Sequence, residues 1–290
     1  MRSFLFVPAD SAKKLDKAMT CGADAVMIDL EDSIAPEGKE AARKSAADFL
    51  CNALKSSTRP RLFVRVNGLQ TGLTDLDLDA IVPARPDAIL LPKAEGGAAV
   101  THADAKISVR EALHGLTDGH IKIVALATET ASALFLCGTF RESSPRLTGL
   151  TWGAEDLSAE LGAETNRDAQ GNFLDPYRLA RALCLAGAAS AEVQPIDTVY
   201  IDFRNTEGLR RETEAARRDG FTGKMAIHPA QVPIINEVFT PAPEAIAKAK
   251  AIVAAFAAAP GAGVVGLDGV MLDRPHLARA KMLLASVGNA

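Results

Sequence analysis

Ionisable residues recur in this chain at one kind of position, the end of a short apolar run. Asp29, Glu31 and Asp32 close the run that starts at Ala25, and Arg65 and Asn67 close the one from Leu62. Lys93 and Glu95 follow Ala88–Leu91, Glu129 follows Ile121–Ala127, Glu155 and Asp156 follow Leu147–Trp152, and His228 follows Met225–Ile227. If those ends meet, several carboxylates share one place with a single arginine and a single lysine. A bound cation is the natural resolution of their repulsion. The donors are oxygens, with one histidine and no nearby cysteine, which favours Mg²⁺ or Mn²⁺ over zinc. Magnesium takes one or two protein carboxylates and fills its remaining positions with water and substrate oxygens. Glu129 and Asp156, which end neighbouring runs, form the predicted metal pair. The competing assignment for either acid is a helix cap or an ion pair with Lys93 or Arg65.

The elements that would bring these ends together follow from periodicity. Eight apolar, mostly β-branched runs read as strands: Phe4–Val7, Ala25–Leu30, Leu62–Val66, Ala88–Leu91, Ile121–Ala127, Leu147–Trp152, Thr198–Ile201 and Met225–Ile227. Most are continuously hydrophobic, as strands covered on both faces are. Helical segments separate them, and the strands start about 32 residues apart on average, the size of a βα unit. Eight such alternations predict a (β/α)₈ TIM barrel, whose active site forms at the C-terminal ends of its strands. Neither GxGxxG nor GxxxxGK[ST] follows the first strand, which weakens dinucleotide and nucleoside triphosphate readings.

The break at Thr240-Pro241-Ala242-Pro243 divides the chain into a predicted catalytic barrel, 1–240, and a C-terminal helical extension, 241–290. The extension reads as a helix over Glu244–Ala259, a glycine-rich segment Pro260–Gly269 and a last helix around His276–Ala285. It is too short to make a core of its own, so it is expected to pack on its own barrel or on a neighbouring subunit.

With 290 residues, 48% hydrophobic and 23% charged, the chain has ordinary globular composition, and its net charge of −4 argues against a general nucleic-acid binder. No apolar run reaches the length of a membrane span, and the N-terminus lacks the apolar core of a signal peptide, so a cytoplasmic protein is expected. Cys21, Cys51, Cys137 and Cys184 are widely spaced and read as buried thiols. His102, His114, His120 and His276 read as surface residues, Trp152 as core, and His228 as architectural.

Seven motifs, taken in order, are similar to those of the citrate lyase β-subunit-like family, which includes malyl-CoA lyases and related thioesterases. They are Phe4-Leu5-Phe6-Val7-Pro8, Asp29-Leu30-Glu31-Asp32-Ser33, Arg65-Val66-Asn67, Pro92-Lys93, Glu129-Thr130, Gly153-Ala154-Glu155-Asp156-Leu157 and Ile227-His228-Pro229-Ala230-Gln231. An eighth, Gly269-Val270-Met271-Leu272-Asp273-Arg274-Pro275, lies in the extension, so the resemblance spans nearly the whole chain.

The resemblance implies Mg²⁺-dependent, reversible carbon–carbon cleavage between an acetyl-thioester carbanion and a 2-oxo acid. Glu129 and Asp156 would ligate the metal, and Arg65 would hold the oxo-acid carboxylate or the enolate oxygen. Asp29, Glu31 and Asp32 would surround metal-bound waters, with Lys93 also among the substrate-binding residues. Arg2 and Lys17 would meet coenzyme A phosphates. Asp273 would be the acid/base carboxylate, reaching the site of a neighbouring subunit in a homo-oligomer, a trimer by resemblance.

The expected activity is lysis of a malyl-CoA, citramalyl-CoA or citryl-thioester type substrate. A thioesterase on the same metal site and a carrier-protein-dependent citrate lyase subunit are the alternatives. An aldolase of free 2-oxo acids is disfavoured, because those relatives tend to place a histidine beside the strand-two acid and Asp32-Ser33 offers none. In the helix after strand six, many members carry Tyr-Ala-Arg where this chain has Leu179-Ala180-Arg181, with Tyr177 two positions earlier.

Overall fold

The computed structural model describes residues 1–288. Eight strands close into a barrel in sequence order: β1 (Ser3–Pro8), β2 (Ala25–Asp29), β3 (Arg61–Arg65), β4 (Ala88–Leu91), β5 (Lys122–Leu126), β6 (Leu147–Thr151), β7 (Gln194–Asp197) and β8 (Gly223–Ala226). Neighbours pair in parallel, and Phe4 of β1 opposite Met225 of β8 closes the ring. The fold is the expected TIM barrel.

Around it run α1 (Ala12–Ala18), α2 (Lys39–Ala53), α3 (Thr74–Ile81), α4 (Gly96–Leu113), α5 (Ala131–Leu134), α6 (Ala154–Glu160), α7 (Asp175–Ser190), α8 (Thr206–Asp219) and α9 (Val232–Phe239). Alternate strand residues fill the interior. Phe4, Met27, Phe63, Leu90, Val124, Leu126, Ile196 and Met225 form one buried cluster, while the intervening residues lie beneath the helices, which is why the strands read as unbroken apolar runs.

Two local expectations fail. The seventh strand is not Thr198–Ile201 but Gln194–Asp197. Pairing with Gly149–Leu150 on one side and Gly223–Lys224 on the other sets its place, overriding the stronger β propensity of Val199 and Ile201. The segment after β6 forms two helices, α6 and α7, rather than one. Of the four thiols, Cys137 and Cys184 are buried as expected, but Cys21 is half-buried and Cys51 is exposed.

Ion pairs tie the N-terminal ends of the strands. Arg2 grips Asp24 (Nη2–Oδ1 2.8 Å), and Arg59 and Arg61 share Asp87. The buried Arg146 guanidinium meets Asp104, Glu111 and Asp118. This is the barrel face that serves stability rather than chemistry. Another buried set links β7 and β8 to α8: Lys224 Nζ donates to Asp197 (2.6 Å) and Glu212 (3.0 Å), while Trp152 Nε1 donates to Asp197 (2.8 Å).

The chain divides into two compact units, Met1–Glu237 and a second beginning at Val238. In the second, α10 (Pro243–Ala258) and α11 (Arg274–Gly288) flank a hairpin of β9 (Val264–Leu267) and β10 (Val270–Asp273). The glycine-rich segment Pro260–Gly269 thus contains a strand, β9, and the turn that leads into β10. The extension also has an apolar cluster of its own, built from Ala249, Ile252, Phe256, Leu272, Leu277 and Ala280, which corrects the expectation that it would have none. Among the described residues no helix is long and apolar enough to cross a membrane.

Candidate active site

The inward register of β2 and β3 delivers Asp29 and Arg65 side by side at the C-terminal end of the barrel, where they are paired across the sheet. Arg65 Nε and Nη2 each donate to Asp29 at 2.7 Å, one to each oxygen. Asp29 also accepts the amides of Glu31 (2.9 Å) and Ser33 (3.2 Å). Burial alone would raise the Asp29 carboxyl, but the Arg65 fork and these amides hold it below the usual range. Arg65 Nη1 reaches Asp32 at 3.1 Å. It also lies 2.8 Å from Glu31 Oε2, an ion-pair contact without hydrogen-bond alignment.

The fork that was assigned to a substrate carboxylate is thus taken by Asp29. This is a correction: Asp29 takes Nε and one N–H of Nη2, and Nη1 lies against Asp32 and Glu31.

Lys93 joins the two sides of the mouth. Its Nζ lies 2.7 Å from Glu31 Oε1 and 3.4 Å from Asp156 Oδ1. Its backbone is left-handed, with φ of 49°, an uncommon conformation for a residue with a side chain and one concentrated at functional sites. Its amide donates to Glu129 Oε2 at 2.7 Å.

Glu129 is only 3% exposed. Burial, and next the nearby Asp156 charge, push its carboxyl up to about 8. A Cβ built at Gly153 would lie 2.8 Å from Glu129 Cγ, so only glycine leaves this carboxylate its place. Asp156 stands not at a strand end but in the first turn of α6, where the helix N-terminus favours a negative charge.

These groups border a cavity of about 90 Å³ whose walls include Arg65, Glu129, Asp156, Phe6, Leu126 and Met225. Among the described residues no group of three or more His, Cys, Asp or Glu side chains is arranged to hold a metal by itself. Two hard oxygen donors, one of them buried without a cation of its own, nonetheless fit an ion that draws its other ligands from water and substrate.

Asp29, Glu31, Asp32, Arg65, Lys93, Glu129 and Asp156 therefore come together, but Arg2 and Lys17 do not join them. Arg2 precedes β1, at the opposite end of the barrel, and is held by Asp24, which removes it from a coenzyme role at the mouth. Lys17 is exposed in the last turn of α1, which runs away from the mouth; Lys13 and Lys14 begin that helix and lie nearer.

Asp273, 52% exposed at its side chain, belongs to the second unit. Its carboxylate is hydrogen-bonded to Nδ1 of His276, which was read from the sequence as no more than a surface residue. His228 is architectural as expected: Nδ1 accepts the Ala230 amide at 3.1 Å, and the ring stacks on Phe203.

Sequence reading missed Lys39, whose Nζ donates to the carbonyls of Leu30 (2.8 Å) and Glu31 (2.5 Å) and fixes the loop carrying the acids. A cation as the first residue of a helix opposes the helix dipole, and that oddity was the available signal.

A family model described as HpcH/HpaI aldolase/citrate lyase matches residues 2–229. The chain belongs to this family. Among members of the HpcH/HpaI aldolase/citrate lyase family, citrate lyase subunit beta of Haemophilus influenzae is 35% identical, covering 98% of this chain and 95% of the relative. A (3S)-malyl-CoA thioesterase of Cereibacter sphaeroides is 36% identical over 98% of this chain and 93% of its own. The mitochondrial citramalyl-CoA lyase of Mus musculus is 33% identical over 98% and 85%. A solved structure of CitE from Mycobacterium tuberculosis, in complex with magnesium, acetoacetate and coenzyme A, is similar with a TM-score of 0.78 and 30% identity, covering 99% of this chain and 98% of that one.

Proposed function

We propose that this chain is a Mg²⁺-dependent lyase that cleaves a 3-hydroxy-acyl thioester of the malyl-CoA, citramalyl-CoA or citryl-thioester type into an acetyl thioester and a 2-oxo acid. The observation that carries this reading is Glu129, a buried carboxylate pinned by a main-chain amide beside Asp156, on a cavity it shares with Arg65. The names of the relatives and the ligands of the CitE structure support the same chemistry.

Glu129 and Asp156 would hold the cation, Mg²⁺ or Mn²⁺, which when bound supplies Lewis-acid polarisation and a template for the oxo acid. In the cleavage direction the 3-hydroxyl gives up its proton to a base, the C2–C3 bond breaks, and its electrons pass into the thioester enolate, which is then protonated on carbon. Arg65 borders the cavity, and its guanidinium charge suits a developing oxyanion. Asp29 fixes the plane of that guanidinium. Lys93 offsets the repulsion between Glu31 and Asp156, and Asp32 lies at the exposed rim. The apolar walls limit water near the carbanion.

Asp273 is the proposed acid/base group, delivered from a neighbouring subunit of a homo-oligomer, a trimer. The hydrogen bond with His276 holds its carboxyl below the usual range, so it starts ionised and ready to accept the first proton. Lys13 and Lys14, rather than Lys17, are the better placed cations for coenzyme A phosphates.

Two relatives favour second readings. The malyl-CoA thioesterase points to hydrolysis on the same site, and citrate lyase subunit beta to an acyl-carrier-protein thioester as substrate. Purified protein with Mg²⁺ and a panel of acyl-CoA thioesters separates these readings if 2-oxo acid and free thiol are followed independently. Oxo acid without thiol is the lyase, and thiol without oxo acid is the thioesterase. Neither product from any coenzyme A ester, with turnover on carrier-protein esters, overturns the free coenzyme reading.

A further inference from the structure

Thr151 ends β6 opposite Leu126 of β5, and Gly149 lies opposite Val124. Leu126 and Val124 belong to the barrel interior, so the shared register turns Thr151 inward as well. The residue is 1% exposed. It borders the same cavity as Arg65, Glu129 and Asp156, yet its Oγ1 has no hydrogen-bond partner in the protein.

A buried hydroxyl left unpaired weakens a fold, and valine would fill the same shape without that cost. The oxygen therefore has no structural use where it stands. Its neighbours on the cavity wall are acids, Arg65, the Thr198 hydroxyl, Trp152, whose Nε1 is taken by Asp197, and the apolar side chains of Phe6, Leu126, Val199 and Met225. Arg65 is already engaged by Asp29, Asp32 and Glu31, and of the two hydroxyls Thr151 is the one buried without a partner. The cavity, about 90 Å³, has room for roughly three waters or a short organic acid.

We propose that Thr151 is a substrate-contacting, specificity-determining residue whose hydroxyl donates to an oxygen of the bound 2-oxo acid from the β6 side of the barrel. This rests on the lyase reading of the site. A polar group built to meet a substrate oxygen discriminates strongly against ligands that lack it, because the group is otherwise left unpaired. Thr151→Val removes the hydroxyl at constant shape, and Thr151→Ser keeps it.

Calorimetry with Mg²⁺ and pyruvate, glyoxylate or oxaloacetate, beside thermal melting of the ligand-free protein, tests the assignment. For whichever acid the wild type binds best, Thr151→Val should lose tenfold or more in affinity and Thr151→Ser should stay within about threefold. Thr151→Val should melt at or above the wild-type temperature, since it removes an unpaired polar group. Equal affinity in Thr151→Val, or a melting temperature several degrees lower, overturns the role of Thr151 while leaving the lyase reading intact. If the wild type itself binds none of the three acids, the reading of the site falls and this assignment with it.

Discussion

The backbone amide of Lys93 holds the buried carboxylate of Glu129 at 2.7 Å, while the ammonium of the same residue lies 3.4 Å from Asp156. Main chain and side chain of one residue thus touch both predicted metal ligands. Lys93→Met keeps the amide and removes the charge. It should bind Mg²⁺ more tightly, because a competing cation is gone, yet turn over more slowly, because Glu31 and Asp156 lose their shared counterion. Calorimetric Mg²⁺ titration beside steady-state kinetics checks both directions, and weaker Mg²⁺ binding would show that Lys93 supports the ion rather than competing with it.

Glu129→Gln preserves shape and the hydrogen bond from Lys93 but removes the anion. Changes in groups that merely orient a ligand already cost about 10–100-fold in metal affinity, so a ligand itself should cost at least about tenfold. Unaltered Mg²⁺ dependence in this variant would move the ion elsewhere.

Arg65→Lys should fold but lose roughly a hundredfold or more in kcat/KM, a few kcal/mol of transition-state binding, because lysine cannot reproduce two parallel bonds to Asp29. The melting temperature should also fall, since Asp29 is buried and would lose its partner. Lowered stability with near wild-type kcat/KM would make the pair purely structural.

Asp273→Asn and Arg65→Ala should each turn over poorly alone. If Asp273 serves a neighbour's barrel, equilibrated mixtures contain some sites with both residues intact and should regain part of the activity. No gain over the separate variants removes the shared site.

At the barrel floor, Asp87 accepts from Arg59, Arg61 and the Leu62 amide. Burial would raise its carboxyl, but these partners hold it below its ordinary value. A group with a lowered folded-state pKa contributes stability that is fully present above its unfolded value, about 3.9, and is lost as pH falls through the folded one. Asp87→Asn should therefore lower the melting temperature at neutral pH, and the gap from wild type should shrink below about pH 4. A gap independent of pH would assign the loss to packing.

The barrel was legible because strands covered on both faces read as apolar runs, and the seven polar residues of the mouth were legible because they end or closely follow those runs. Three things were not. Arg2 was placed by resemblance, although it precedes β1 and a parallel barrel puts that position at the end away from the mouth. The fork of Arg65 looks free in sequence, since the register that pairs it with Asp29 spans 36 residues. Strand seven was misplaced because Gln194 and Pro195 are poor strand formers that two neighbouring strands hold in place.

Gly153 on one side and the Lys93 amide on the other leave Glu129 little freedom to swing. That confinement bears on which ion is chosen. Calcium gathers six to eight oxygens at about 2.3–2.6 Å and readily takes a carboxylate through both of its oxygens, whereas magnesium requires single oxygens in a tight octahedron at about 2.0–2.1 Å. With one oxygen already committed to an amide, Glu129 offers its other one alone. A cation held by Glu129 would thereby be selected by ionic radius, before any substrate arrives.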